Sequence, residues 1–158
     1  ALPTQRKFLC KNCSRKITYI DTALTQIYQT YREYDFENYY GRMQKLLMDK
    51  DVTVVCGEGV LDRLEYNALD VCNSVEYVYA PSMNAYSKYN EILKQVLTTD
   101  KNRLVCIVLG PTAKVLTYDL YREGYLAWDM GHYFKDYDVY RRRKPRTGEE
   151  IAKFYQPD

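Results

Sequence analysis

The stretch Val52-Thr53-Val54-Val55-Cys56-Gly57-Glu58-Gly59 decides the fold. Its first five residues form a short, largely β-branched run with almost no polar alternation, the pattern of a buried strand, and Gly57-Glu58-Gly59 closes that strand in a tight loop. A strand of this kind belongs inside a sheet covered by helices, so the flanking sequence is expected to supply both.

Working outward, a short helix is expected over Asn67 to Val71, then a second strand, Val75-Glu76-Tyr77-Val78-Tyr79-Ala80, stopped by Pro81. Asn84 to Thr98 carries Tyr89, Ile92, Leu93, Val96 and Leu97 at helical spacing on one face. Leu104 to Leu109 is a third, almost wholly apolar strand, and Gly110-Pro111-Thr112 turns it into a helix that runs to Glu123 with Gly124 as its stop. Tyr125 to Met130 reads as a fourth strand, ending at Gly131-His132. Upstream, Glu33 to Lys50 places Phe36, Tyr40, Met43, Leu46 and Leu47 at helical intervals, with Asp35 and Glu37 suited to the positive end of the helix dipole. Strands alternating with helices predict an α/β fold, a Rossmann-like and mainly parallel sheet with helices on both faces. The 158 residues fit one domain, with residues 1–32 as an irregular lead-in, weakly strand-like over Ile17 to Ile20, and residues 33–158 as the core. Arg141 to Lys144, followed by Pro145-Arg146-Thr147-Gly148, reads as a basic, turn-prone tail.

Composition narrows the function classes. Hydrophobic residues make up 46% and charged residues 28%, with no apolar run near the roughly 20 residues a membrane-spanning helix needs. The net charge of +2 argues against nucleic-acid binding by the whole domain. The first residues, ALPTQRKF, lack a secretory pattern, so a cytoplasmic address is expected. Of five cysteines, Cys56, Cys72 and Cys106 sit in apolar surroundings as reduced core residues, and the lone pair Cys10 and Cys13 lacks the partners of a zinc or thioredoxin-like site.

Open α/β sheets bind ligands beyond the carboxyl ends of their strands. That rule nominates four segments: Gly57-Glu58-Gly59, Ala80-Pro81, Gly110-Pro111-Thr112-Ala113 and Asp129-Met130-Gly131-His132. Loops that present amide hydrogens at a helix start suit a diphosphate, although the same glycines also serve as plain turns, and neither a third dinucleotide-fingerprint glycine nor a P-loop lysine is present. His132 is the single histidine, and with Asp136 and Asp138 it could hold a divalent metal or act as acid and base. The Asp136-Tyr137-Asp138 triplet copies the spacing of a metal-binding D-x-D, and equally suits a helix cap. The run Arg141 to Arg143 with Lys144 and Arg146 reads first as a solvated face and second as a contact for an anionic substrate, lipid head group or RNA.

The G-E-G loop, the A-P-x-x-N-A turn, the L-G-P-T-A helix start and the D-x-G-H strand end with its acidic-Tyr-acidic triplet occur here in one order and spacing. This set closely resembles the carboxyl-terminal half of the bacterial GT-D glycosyltransferases, over roughly Thr18 to Asp158. The resemblance implies transfer of a sugar from a nucleotide sugar, typically a UDP-sugar, to a glycan on a protein or cell-surface polymer, with Mn2+ or Mg2+ as cofactor. It implies that Gly57, Glu58, Gly59, Pro81, Asn84, Gly110, Pro111, Thr112 and Ala113 line the nucleotide-sugar cleft. His132, Asp136 and Asp138 would be catalytic, with His132 and Asp138 on the metal. Two departures stand out. The family's Asp-Gly-Glu metal motif occurs nowhere in this chain, and Asp35-Phe36-Glu37 matches only its spacing; and Thr25-Gln26-Ile27-Tyr28 stands where the family tends to read Ser-Arg-Pro-Tyr. The resemblance therefore also implies a missing amino-terminal half or partner domain, and leaves a non-catalytic nucleotide-sugar-binding or assembly module as the alternative to an enzyme.

Overall fold

The structure is a computed structural model that describes residues 3–18 and 23–143. Its centre is a four-stranded sheet of β1 (Asp51–Gly57), β2 (Ser74–Ala80), β3 (Leu104–Val108) and β4 (Ala127–Asp129), in the order β2-β1-β3-β4. All three pairings are parallel, with Val54 opposite Tyr77 and Cys106, and Ile107 opposite Asp129.

The period of two along the inner strands sorts their side chains between two cores. Val52, Val54 and Cys56 of β1, with Leu104 and Cys106 of β3, face α3 (Phe36–Leu47) and α6 (Tyr133–Arg142). Val55, Val105 and Ile107 face α4 (Tyr89–Val96) and α5 (Pro111–Arg122), whose Ile92, Val96, Leu116 and Leu120 close the second core. Helices thus cover both faces, as the apolar run at Val52 requires. A short 3-10 turn at Ala68–Val71, capped by the Asn67 side chain, leads into β2. The predicted helix at Asn84 divides into a 3-10 turn, Ala85–Lys88, and α4, and the fourth strand is shorter than the sequence suggests. Asp35 caps α3 by accepting from the Asn38 N–H, which accounts for its place beside Glu37 without any metal.

The amino-terminal expectations need correction. Residues Pro3–Asn12 form a helix, α1, exposed wherever its side chains are described, and Ile17 and Thr18 are not in a strand; the rest of the weakly strand-like segment lies outside the described residues. The lead-in also contains α2 (Ile27–Thr30), seated against α6.

One carboxylate fixes that seat. Asp136, fully buried on α6, accepts from the Tyr28 N–H at 3.0 Å, the Gln29 N–H at 3.2 Å, the Gln29 side-chain amide at 2.9 Å and the Tyr40 hydroxyl at 2.6 Å. It caps the start of α2 and pins α3 at once. Burial, then the Asp136 carboxylate, pushes the Tyr40 phenol far above its ordinary pKa, so Tyr40 remains a donor. Asp138 is just as occupied, accepting from the Glu65 and Tyr66 N–H groups at 3.0 and 2.9 Å and from Arg142 Nη2 at 2.8 Å. Two positions apart on a helix, the carboxylates point roughly 200° from one another and serve different neighbours. The expectation that they act together at a metal or as acid and base gives way to structural roles. Replacing Asp136 by Ala strands donors on two elements, α2 and α3, and urea denaturation is expected to show a loss of about 2–4 kcal/mol.

Candidate functional site

The chain leaves β1 toward β2 on one side, and β3 then returns to the other side of β1. Loops that follow β1 and β3 therefore diverge, and a crevice opens above the sheet between their carboxyl ends. Along this edge lie, in order, Pro81 to Asn84, Gly57 to Gly59, Gly110 to Ala113, and Gly131 with His132. Gly57 and His132 follow strands two places apart, about 10 Å at the usual strand spacing. The loop residues that the sequence nominated are therefore brought to one edge, while Asp136 and Asp138 lie buried within α6.

Their roles within it differ. Gly57 is buried in the ladder, and a Cβ there would meet Ser82 Cα at 2.7 Å and Val60 Cγ2 at 2.9 Å, so glycine is what lets the Pro81 loop close down on the Gly57 loop. The Glu58 N–H donates to the Ala80 carbonyl at 3.3 Å and ties the same two loops together. Glu58, Gly59, Pro81 and Asn84 are exposed on that rim, Asn84 in the left-handed region. Gly59 (φ 74°) and Gly110 (φ 51°) have positive φ, and a Cβ on either would meet nothing within 4 Å. Open space thus lies above both loops.

The start of α5 is less generous to an anion than its sequence suggests. Pro111 has no N–H, the Thr112 N–H turns to the Leu109 carbonyl, and the Ala113 N–H to the Gly110 carbonyl, both at 3.2 Å. Ala113 is sealed in the core, so packing is its contribution. The cation that the sequence reading missed is Lys114 on the same turn. Its ammonium pairs with Asp129 Oδ2 at 3.1 Å, while Asp129 Oδ1 accepts from the Gly131 N–H at 3.0 Å. Lys114 directly follows the L-G-P-T-A motif, outside it, and Asp129 opens D-x-G-H.

His132 caps α6, and its N–H approaches Thr25 Oγ1 at 3.4 Å. A Cβ on Gly131 would overlap that same hydroxyl, so glycine there admits the lead-in to the edge. Residues Thr25 to Tyr28, treated in sequence as irregular approach, stand beside His132 and Asp136. The metal set fails a direct test. Asp138 lies six residues beyond His132, roughly 9 Å along the helix, with its carboxylate occupied. Among the described residues no three His, Cys, Asp or Glu side chains converge on one point. The His132 and Asp138 set that the resemblance implies is therefore not assembled among the described residues.

The basic run is partly consumed by the fold. Arg141 donates to the Tyr137 hydroxyl at 2.7 Å and lies 5.1 Å from the Tyr66 ring centroid, and Arg142 pairs with Asp138 and Glu65. Lys144 to Gly148 lie outside the described residues. No described helix is long and apolar enough to cross a membrane.

Comparison with known proteins gives a consistent picture. A family model described as glycosyltransferase GT-D fold matches residues 1–154. A probable glycosyl transferase, Gly, of Streptococcus gordonii is 39% identical over 103 residues, 65% of this chain and 15% of that protein. The glycosyltransferase GlyD of Streptococcus pneumoniae serotype 4 is 29% identical over 99 residues, 63% of this chain and 12% of its own length. Among solved structures, a glycosyltransferase from Streptococcus sanguinis superposes with a TM-score of 0.82 at 32% identity, covering 92% of this chain and 54% of the other. A second, a domain of unknown function described as having a distinct glycosyltransferase fold, gives 0.82 at 27%, covering 98% and 59%. The chain therefore spans under a sixth of these curated relatives and little more than half of the solved ones. Parallel sheet, ordered loop motifs and a family match over nearly the whole length lead to one conclusion: the chain belongs to the glycosyltransferase GT-D fold family.

Proposed function

We propose that this chain provides the nucleotide-binding part of a glycosyltransferase that takes a sugar from a nucleotide sugar, UDP being the expected nucleotide, and passes it to a glycan acceptor in cell-surface or glycoprotein glycan synthesis at a cytoplasmic site. One observation carries the reading. The strand order reverses at β1, and the glycine loops after β1 and β3 flank the resulting crevice with open space above them.

In this reading the nucleotide sugar lies along the edge. The Gly59 and Gly110 loops allow close backbone approach, Glu58, Pro81 and Asn84 form the outer rim, and Thr112 sits below with the positive end of α5. Lys114 exchanges Asp129 for the diphosphate and neutralises part of its charge as the nucleotide departs. His132, on the far side of Gly110, stands where an imidazole can move a proton at the transfer point. No step is assigned to Asp136 or Asp138, which position α2, α3 and α6, and none to a metal.

The second reading, a nucleotide-sugar-binding or assembly module without turnover, is favoured by the engagement of Asp136 and Asp138 in bonds that hold the fold together. Calorimetry with UDP and a transfer assay with a panel of UDP-sugars and a glycan acceptor separate the two, since the module binds and does not turn over. Lys114→Gln, on an exposed side chain, is expected to weaken UDP about three- to tenfold and to flatten the salt dependence of binding. His132→Ala is expected to slow transfer about a hundredfold with UDP affinity nearly unchanged. Failure of the wild-type chain to bind UDP at all would refute both readings.

A further inference from the structure

Beside the sheet rather than above it, α3 and α6 flank an open cavity of about 360 Å3 that the nucleotide reading leaves unused. Its lining includes Glu37, Gly41 and Gln44 from α3 and Tyr137, Tyr140 and Arg141 from α6, with Arg143 at the end of that helix. Gly41 is the unexpected member. It lies inside a twelve-residue helix with no positive φ to require glycine, and a Cβ there would meet nothing within 4 Å, so packing does not require it either. Glycine weakens a helix interior relative to alanine. What its missing side chain does here is leave the cavity open.

The lining has a recognisable chemistry. A carboxylate, a primary amide and a guanidinium are all planar groups that can engage two neighbouring hydroxyls at once, and the half-buried Tyr140 adds aromatic surface beside them. The walls are held in place before any ligand arrives. Tyr40 stacks on Tyr140 with ring centroids 4.3 Å apart and is pinned by Asp136, and Arg141 is fixed over Tyr66 and Tyr137 while using one of its five donors on the Tyr137 hydroxyl. Both signs of charge line one small space, which suits an uncharged ligand rich in hydroxyls.

We propose that this cavity is a binding subsite for neutral sugar residues. Resting on the transferase reading, it holds the acceptor chain beyond the hydroxyl that receives the new sugar. Tyr137 stands five residues after His132 on the same helix, roughly 7.5 Å along its axis and about 140° around it, a separation that a chain of several sugar residues spans by following the surface of α6.

Saturation-transfer NMR with a panel of neutral disaccharides (lactose, maltose, cellobiose and diacetylchitobiose) tests this on the wild-type chain and on Gly41→Leu. That variant improves the helix while filling the cavity, so its melting temperature should hold or rise. The wild type is expected to give transfer from at least one disaccharide, and Gly41→Leu to lose it by tenfold or more with the UDP titration unchanged. Absence of transfer from every member of the panel, or transfer that survives in Gly41→Leu, overturns the subsite. Sugar binding that depends on Gly41 in a chain that ignores UDP keeps the subsite and removes the transferase reading.

Discussion

The arrangement of this molecule follows from a reversal in the order of its strands. Had each strand been laid beside the last in one direction, every loop at the carboxyl edge would have crossed to the same side and covered the space above the sheet. Because β3 returns to the far side of β1, the loops after these two strands part, and the crevice between them is a consequence of connectivity. Glycines then keep it usable. Gly57 admits Ser82 against β1, while Gly59 and Gly110 leave the space above free of side chains.

A second constraint lies beneath the first. Asp136 takes an ionisable group into the interior and satisfies it with two backbone amides, a side-chain amide and a phenol drawn from α2 and α3. Burial of a carboxylate is tolerable only with such a full set of donors, and removing it would leave those donors unpaired. The network gives the lead-in a defined seat, which brings Thr25 against Gly131 and His132. It also fixes Tyr40, one wall of the cavity between α3 and α6. One buried charge therefore shapes both the end of the crevice and the neighbouring pocket.

Much of this was legible in sequence where side-chain period and burial agree. Val52 to Cys56 and Leu104 to Leu109 announce buried strands, Gly124 stops α5, and the parallel sheet follows from the alternation of elements. The elements that escaped were those whose polarity misleads. Helix α6 buries Tyr133, Phe134, Asp136, Tyr137, Asp138 and Val139, so no single apolar stripe marks it, and its two carboxylates look like surface chemistry. Helix α1 has no buried face among its described side chains to impose a period. In the site, the glycine loops could be found because backbone demands leave a residue signature. The Lys114–Asp129 pair and the Thr25 contact could not, because they join segments distant in the chain through geometry that only the folded sheet supplies.

The central claim, that a nucleotide diphosphate occupies the crevice between β1 and β3, is most directly tested by following backbone amide resonances of the isotopically labelled chain as UDP is added. Shifts gathered on residues 57–60, 81–85, 110–114 and 129–132 are predicted, with the amino ends of the same strands undisturbed. Shifts confined to the groove between α3 and α6, or scattered without regard to the carboxyl edge, would contradict it.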